Sequence, residues 1–299
     1  MGANKIFIYS YCKRQIRSMI KVNSLSGGKT SSYIAANYPA NHDVFALVRI
    51  EHQQSKFSDE KIRKEVEDRI QAPFVATAED DMIIYTMLDL EQYIGRKITW
   101  VTGKTFDKVL ESAGTLPDPL RRYCTTQMKM EPMFHWWKKT INIPCEFRLG
   151  FRANEKKRAQ RTTDKTNSKG FLEIKTIVGK RGSRNKWGMI EWQKPSYPLI
   201  KDNIYKDTIE KFWKDKPVRF AWMNNCVGCF HKNPLLIRKM WKKHKNKLEW
   251  FASKERIKHK KDVWYKDKNL SFEDIRKWNL QTDLFDEDFN ECDSGYCGI

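Results

Sequence analysis

The sequence predicts an α/β fold, a parallel β-sheet flanked by helices, and three observations predict it. Short apolar segments alternate with segments of helical periodicity over residues 20–151, the pattern that builds parallel strands joined by right-handed crossovers. Residues 44–48 (Val-Phe-Ala-Leu-Val) form an unbroken apolar run, as a strand covered on both faces requires. Residues 20–25 run straight into a twin-glycine turn that opens a helical pattern. In open α/β sheets ligands bind beyond the carboxyl ends of strands, which is where that turn falls.

The elements follow in order. Residues 20–25 read as a short buried strand, and 31–38 as a helix closed by Pro39. After the strand at 44–48, residues 58–70 form a charged helix in which Lys61 and Glu65 lie one turn apart and can pair. Residues 80–93 carry helical spacing of Ile83, Met87, Leu90 and Ile94, and 98–101 make another short strand. His135, Trp136 and Trp137 lie in an apolar stretch after Pro132 that reads as a core helix. Residues 146–151 are a further strand. Residues 154–188 are polar, glycine-containing and basic (Lys156, Lys157, Arg158, Arg161, Lys180, Arg181, Arg184), the composition of a mobile insertion flanking a site. From Pro234 the pattern is helical and very basic, with Trp241, Trp250 and Trp264 as packing anchors. Residues 283–299 turn acidic and contain Cys292 and Cys297. No internal repeat is present. The chain thus divides into an N-terminal extension (1–19), an α/β domain (20–235) and a basic helical extension with a cysteine-bearing acidic tail (236–299).

Composition narrows the function classes. At 299 residues, 40% hydrophobic and 31% charged, the chain has enough material for a full core. No apolar run approaches the ~20 residues of a membrane span. The first residues lack the apolar core and cleavage site of a signal peptide, so a cytoplasmic protein is expected. Seven cysteines without secretory features argue for reduced thiols available to a metal or to chemistry, not for a disulfide scaffold. A net charge of +20 attracts polyanions, of which nucleic acid is the usual one.

The loop Ser26-Gly27-Gly28-Lys29-Thr30-Ser31-Ser32 has the chemistry of a phosphate cradle. Glycines let the backbone approach phosphate oxygens, and a helix N-terminus adds unpaired N–H groups and the positive end of its dipole. Lys29 adds a cation, and Ser26, Thr30, Ser31 and Ser32 add hydroxyls. It is not a Walker A loop, because the second Gly-Lys pair is absent at the required spacing.

The loop resembles the Ser-Gly-Gly-x-Asp-Ser signature of the adenine-nucleotide α-hydrolase superfamily, with Thr30 at the Asp position. Further segments, in chain order, resemble the phosphoadenosine-phosphosulfate (PAPS) reductase-like branch. Residues 121–129 (Arg-Arg-Tyr-Cys-Thr-Thr-Gln-Met-Lys) are similar to its Arg-x-Cys-Cys-x-x-x-Lys segment, with Tyr123 replacing the first cysteine. Gly150 to Glu155, followed by Arg158, is similar to its Gly-x-Arg-x-x-Glu segment. Cys226-Val227-Gly228-Cys229 supplies the late Cys-x-x-Cys, and Tyr197-Pro198-Leu199-Ile200 also fits. The resemblance covers residues 20–235 and implies a Rossmann-like parallel sheet that binds ATP or PAPS. Arg121, Lys129, Arg152 and Arg158 suit recognition of sulfate or phosphate, for which the arginine fork is well shaped. Arg152 and Lys129 would act on the reacting group, with Arg121 and Arg158 holding the nucleotide.

Cys226 and Cys229 are spaced for one edge of a tetrahedral metal site or an iron–sulfur cluster. Cys124 would join them, with Cys145, Cys292 or His231 as a fourth ligand. A [4Fe–4S] cluster, zinc and free redox thiols all remain open. The segment Glu291-Cys292 is similar to the Glu-Cys-Gly tail with which reductases of the branch attack the sulfonyl sulfur, although Asp293 follows here. A thiolate near bound phosphates and arginines would have the lowered pKa that attack requires. Three functions follow. The first is sulfonucleotide reduction, with Cys292 as nucleophile and a thioredoxin-type thiol as reductant. The second is ATP-dependent thiolation of tRNA or DNA, with Mg²⁺. The third is an inactive nucleic-acid-binding relative.

Overall fold

A computed structural model describes residues 19–118, 121–224, 226–255 and 270–279. Six strands form one sheet: β1 (Lys21–Leu25), β2 (His42–Ala46), β5 (Ile98–Val101), β6 (Cys145–Arg148), β7 (Leu172–Arg181) and β8 (Arg184–Ser196). Their order is β5-β2-β1-β6-β8-β7, parallel except for β7, which pairs antiparallel with β8. Two short strands, β3 (Arg49–Ile50) and β4 (Ala76–Thr77), make a separate antiparallel pair. The chain leaves β1 for β2 and β5 on one side and returns to β6 on the other. The strand order therefore reverses between β1 and β6, and a crevice opens beyond their carboxyl ends.

Alternation across the sheet accounts for the continuous apolar run. Phe45 and Leu47 enter one buried cluster with α1 (Lys29–Asn37), α2 (Glu60–Ile70), α3 (Met82–Ile94) and α9 (Lys206–Trp213). Val44 and Ala46 enter another, which holds Phe134 and Trp137 of α6 (Glu131–Thr140) with Trp192 of β8. A strand sandwiched between helices has no polar face, so both sets must be apolar. The expected core helix after Pro132 is thus α6, with Trp137 buried and His135 exposed. A third cluster joins β3, β4 and α4 (Phe106–Ala113) to α10 (Pro234–Lys243), α11 (Lys245–Ser253) and α12 (Phe272–Arg276), with Trp241 and Trp250 buried in it. Three further α-helices are α5 (Tyr123–Thr125), α7 (Lys156–Thr163) and α8 (Pro198–Lys201).

Several expectations are corrected. The second strand starts two residues early, at His42, because its register on β1 runs from Val22 opposite His42 to Leu25 opposite Phe45. Leu47 and Val48 stay buried but lead into β3. The strand expected at 146–151 is Cys145–Arg148. Glu65 pairs with Arg69 (2.8 Å) rather than with Lys61, and Arg69 also holds Glu91 at 2.8 Å. Residues 154–188 are not an irregular insertion. They form α7 and most of a β-hairpin, β7–β8, which turns at Gly182 with φ +61°. The hairpin's polar composition reads as loop, yet Leu172, Ile174, Ile190 and Trp192 pack inward at its base. Trp264, Cys12, Cys292, Cys297 and residues 283–299 lie outside the described residues. Among the described residues no helix is long and apolar enough to cross a membrane.

Three paired carboxylates set an acid limit on this fold. Burial works to raise the pKa of Asp80, but hydrogen bonds from His244 and the Met82 N–H, with the charge of Lys247, hold it below the usual carboxylate range. The Arg219 guanidinium lowers Asp89. Burial is likewise outweighed at Glu91 by Arg69 and the Ile98 N–H. Folded-state pKa values below the unfolded ones give stability that is present above pH ~4 and lost as the pH falls through them. The thermal unfolding midpoint should hold steady from about pH 7 to about pH 5 and then drop steeply below about pH 4. A midpoint level down to about pH 2 would show that these pairs contribute nothing.

Candidate functional site

The site begins where β1 ends. Gly27 takes φ +79°, a left-handed conformation open to glycine at little cost, and Gly28 is the N-cap of α1 with no side chain capping it. The first-turn amides of α1 therefore point out of the β1 carboxyl end without a side-chain acceptor, the arrangement that attracts an oxyanion. The loop is braced from within. Ser31 Oγ accepts from the Ser26 N–H (3.1 Å) and donates to the Gly28 carbonyl (3.1 Å). Ser31 thus serves the turn itself rather than facing outward. Ser32 is fully buried, and its hydroxyl has no partner among the described residues. Lys29 pairs with Glu210 of α9, while Trp213 Nε1 donates to the Lys29 carbonyl at 3.0 Å.

Both glycines are also demanded by close packing. A Cβ on Gly27 would stand 2.4 Å from Ile83 Cγ2, and one on Gly28 would stand 2.5 Å from Asn224 Nδ2. The turn is wedged between α3 and the segment leading to the Cys-x-x-Cys. A third glycine closes the crevice from the β6 side: a Cβ on Gly150 would lie 3.4 Å from Thr30 Cγ2 and 3.5 Å from Ser31 N. The two glycine segments, 120 residues apart in sequence (positions 30 and 150), thus meet where the strand order reverses.

Arg152 and Arg158 are brought together behind Gly150. Glu155 accepts from the Arg152 N–H (2.9 Å), from Arg152 Nε (3.2 Å) and from Arg158 Nη1 (3.0 Å). The Arg158 guanidinium lies 4.1 Å above the Phe151 ring, which stacks on Tyr197. The spacing Arg-x-x-Glu places both partners on one turn, so the carboxylate fixes the forks. Arg121 is different: it is exposed, and Asp118 takes its guanidinium at 2.7 Å.

Lys129 sits on a turn of π-helix (Thr126–Met130) inserted between α5 and α6. Such insertions re-aim side chains and are frequent at functional sites. Its ammonium contacts Glu79 Oε1 at 2.9 Å, and Glu79 is completely buried with its second oxygen unpartnered among the described residues. Lys247 Nζ reaches the Glu79 carbonyl (2.6 Å) and Asp81 Oδ1 (2.7 Å), and His244 Nε2 is 3.1 Å from Asp80 Oδ2. The three acids at 79–81 after β4 are therefore each bound to a base.

Cys124, Cys226, Cys229 and His231 line one narrow apolar cavity of about 40 Å³, closed by Phe106, Phe251 and Phe272. The cysteines expected to act together are thereby gathered. Among the described residues, however, no three His, Cys, Asp or Glu side chains converge where one ion could be held. Cys145 takes no part. It is buried in β6 beside the Trp192 carbonyl, and burial pushes its thiol up to about 12.

Sequence reasoning missed four residues: Glu79, Glu210, Asn224 and Lys232. Lys232 is fully buried, donating to the carbonyls of Asn224 and Cys226 at 2.8 Å each, so it shapes the turn that carries the thiols. Two signals were available, a lysine directly after Cys-x-x-Cys-Phe-His and an acid triplet at the end of an apolar segment. Glu210 and Asn224 had none, because only the tertiary fold brings them to the loop. No protein-family model matches the chain, and neither does a curated protein or a solved structure.

Proposed function

We propose that this chain binds an adenine nucleotide with its phosphates on the Gly27-Gly28 turn and is a PAPS reductase-like enzyme of sulfur chemistry. One observation carries the reading: two glycine segments meet at the reversal of strand order, beside the uncapped N-terminus of α1. The paired Arg152 and Arg158 and the half-buried Lys129 supply fixed cations for sulfate and phosphate oxygens.

In the reduction, the Cys292 thiolate attacks the sulfonyl sulfur of PAPS. The sulfur–oxygen bond to the phosphate breaks, and adenosine 3′,5′-bisphosphate leaves with that electron pair. A thioredoxin-type thiolate then attacks Cys292 Sγ, releasing sulfite, and the two thiols end as a disulfide. A [4Fe–4S] cluster on Cys124, Cys226 and Cys229 belongs to this reading and is supported by the shared cavity of those thiols. When bound, such a cluster would order the turn that carries Asn224 against Gly28.

The net charge of +20 favours a second reading, in which the loop holds Mg²⁺-ATP. There an oxygen of tRNA or DNA attacks the α-phosphate and pyrophosphate leaves, and a sulfur donor then displaces the activated oxygen, which departs with its electron pair as AMP. Calorimetry on the anaerobically purified full chain, titrated with PAPS and with Mg²⁺-ATP, tests the nucleotide site. Heat with PAPS, sulfite release, and loss of that release in Cys292→Ala are the expected results. Pyrophosphate release that depends on added tRNA or DNA would move the assignment to the second reading. No heat with either nucleotide would end both.

A further inference from the structure

The β7–β8 hairpin is much longer than the sheet it joins. Pairing with β6 uses only Cys145 opposite Gln193 through Arg148 opposite Ser196. Residues 184–192 of β8 run on past the amino end of β6, together with their partners on β7. At ~3.3 Å per residue the ribbon projects about 30 Å from that edge, at the end of the sheet opposite the Gly27-Gly28 turn. A structural hairpin of this length would cover something, yet Trp187 is 57% exposed, Met189 56%, Val178 44% and Ile177 39%.

The ladder register sorts these side chains. Ile177 lies opposite Trp187 and Lys175 opposite Met189, so all four share one face of the ribbon. The inward face holds Ile174 and Ile190, which pack on the core. At the tip, Lys180, Arg181, Arg184 and Lys186 are all exposed. From 174 to 190 the chain has five basic residues and no acidic one. A flat apolar and aromatic platform is thus framed by cations along its whole length.

We infer that this hairpin is a binding arm for single-stranded nucleic acid, with an unpaired base stacked on Trp187 and the backbone phosphates following the basic residues. The charge points to a polyanion, and it repels a second copy of the same hairpin. The exposed indole selects among polyanions, because stacking needs a base face that a duplex keeps hidden. The ribbon's cations run along about 30 Å, a track several nucleotides long, where an anionic membrane would need a broad apolar patch. The inference does not rest on the nucleotide reading, since the arm and the crevice lie at opposite ends of the sheet.

Fluorescence anisotropy of a labelled oligothymidylate of about 20 nucleotides tests it on the full chain. Binding should weaken steeply with salt. Trp187→Ala should lower affinity about tenfold with an unchanged unfolding midpoint, and Trp187→Phe should restore most of it. Lys180→Glu combined with Arg184→Glu should weaken binding further and flatten its salt dependence. The inference is overturned if Trp187→Ala binds like the parent, or if a duplex of equal length competes equally well. Phosphatidylserine vesicles, but not the oligonucleotide, binding in a Trp187-dependent manner would also overturn it. So would a Trp187-dependent dimer with no oligonucleotide binding.

Discussion

Lys129→Met is expected to lower the unfolding free energy by about 3–5 kcal/mol, the usual cost of leaving one member of a buried ion pair alone. The magnitude follows from the surroundings of Glu79. Its side chain is 0% exposed and the Lys129 side chain 13%, so water does little to compensate the carboxylate once the ammonium is gone. Lys247 cannot substitute, because its Nζ bonds the Glu79 carbonyl and the Asp81 carboxylate, not the Glu79 carboxylate. Glu79→Gln in the same background removes the stranded charge and should recover most of the loss. Urea denaturation of the parent, the single variant and the double variant measures both quantities. A loss under about 1 kcal/mol would mean that the pair behaves as a surface pair.

Gly150→Val should reduce nucleotide affinity by tenfold or more while leaving the protein folded. Gly150 Cβ itself fits, since a methyl there meets Thr30 Cγ2 at 3.4 Å and Ser31 N at 3.5 Å, ordinary van der Waals separations. The two γ-methyls of valine have to reach further, over the first turn of α1, whose amides are the proposed seat of the phosphates. Gly150→Ala is the control and should bind nearly as tightly as the parent. This pair tests the crevice better than substitution of Gly28, where any side chain meets Asn224 whether or not a ligand binds. Calorimetric titration with PAPS and Mg²⁺-ATP, beside thermal unfolding of both variants, separates a blocked crevice from a damaged fold. Equal affinity in Gly150→Val would place the phosphates elsewhere.

The legible parts of this molecule are those in which local chemistry and tertiary environment agree. The apolar run at 44–48 announced a strand buried on both faces, and Gly27-Gly28 announced a turn into a helix, because a left-handed φ and a close approach each demand glycine there. The spacing of Ile83, Met87 and Leu90 gave α3, since all three face the same cluster. The hairpin was not legible. Its distal half packs against nothing among the described residues, so periodicity has no core to report, and its lysines and arginines look like those of a loop. The partners of site residues were equally hidden. Lys129 and Arg158 could be named from their segments, but that Glu79 and Glu155 would receive them depends on β4 and on one turn of helix after β6. Trp213, which fixes the Lys29 carbonyl, comes from 184 positions away (213 against 29).

The widened turn at Thr126–Met130 has a mechanical consequence. A π-helical turn holds one residue more than the α-helix around it, and each residue of an α-helix advances the chain by about 100° of rotation. Excising a single residue there would let the helix run on regularly from α5 into α6, at no loss of backbone bonds. The extra residue is absorbed within that one turn, so the helix on either side would keep its phase. Cys124 would stay on the wall it shares with Cys226 and Cys229, and Phe134 and Trp137 would keep their places. Lys129, which the bulge carries, would alone lose its aim at Glu79.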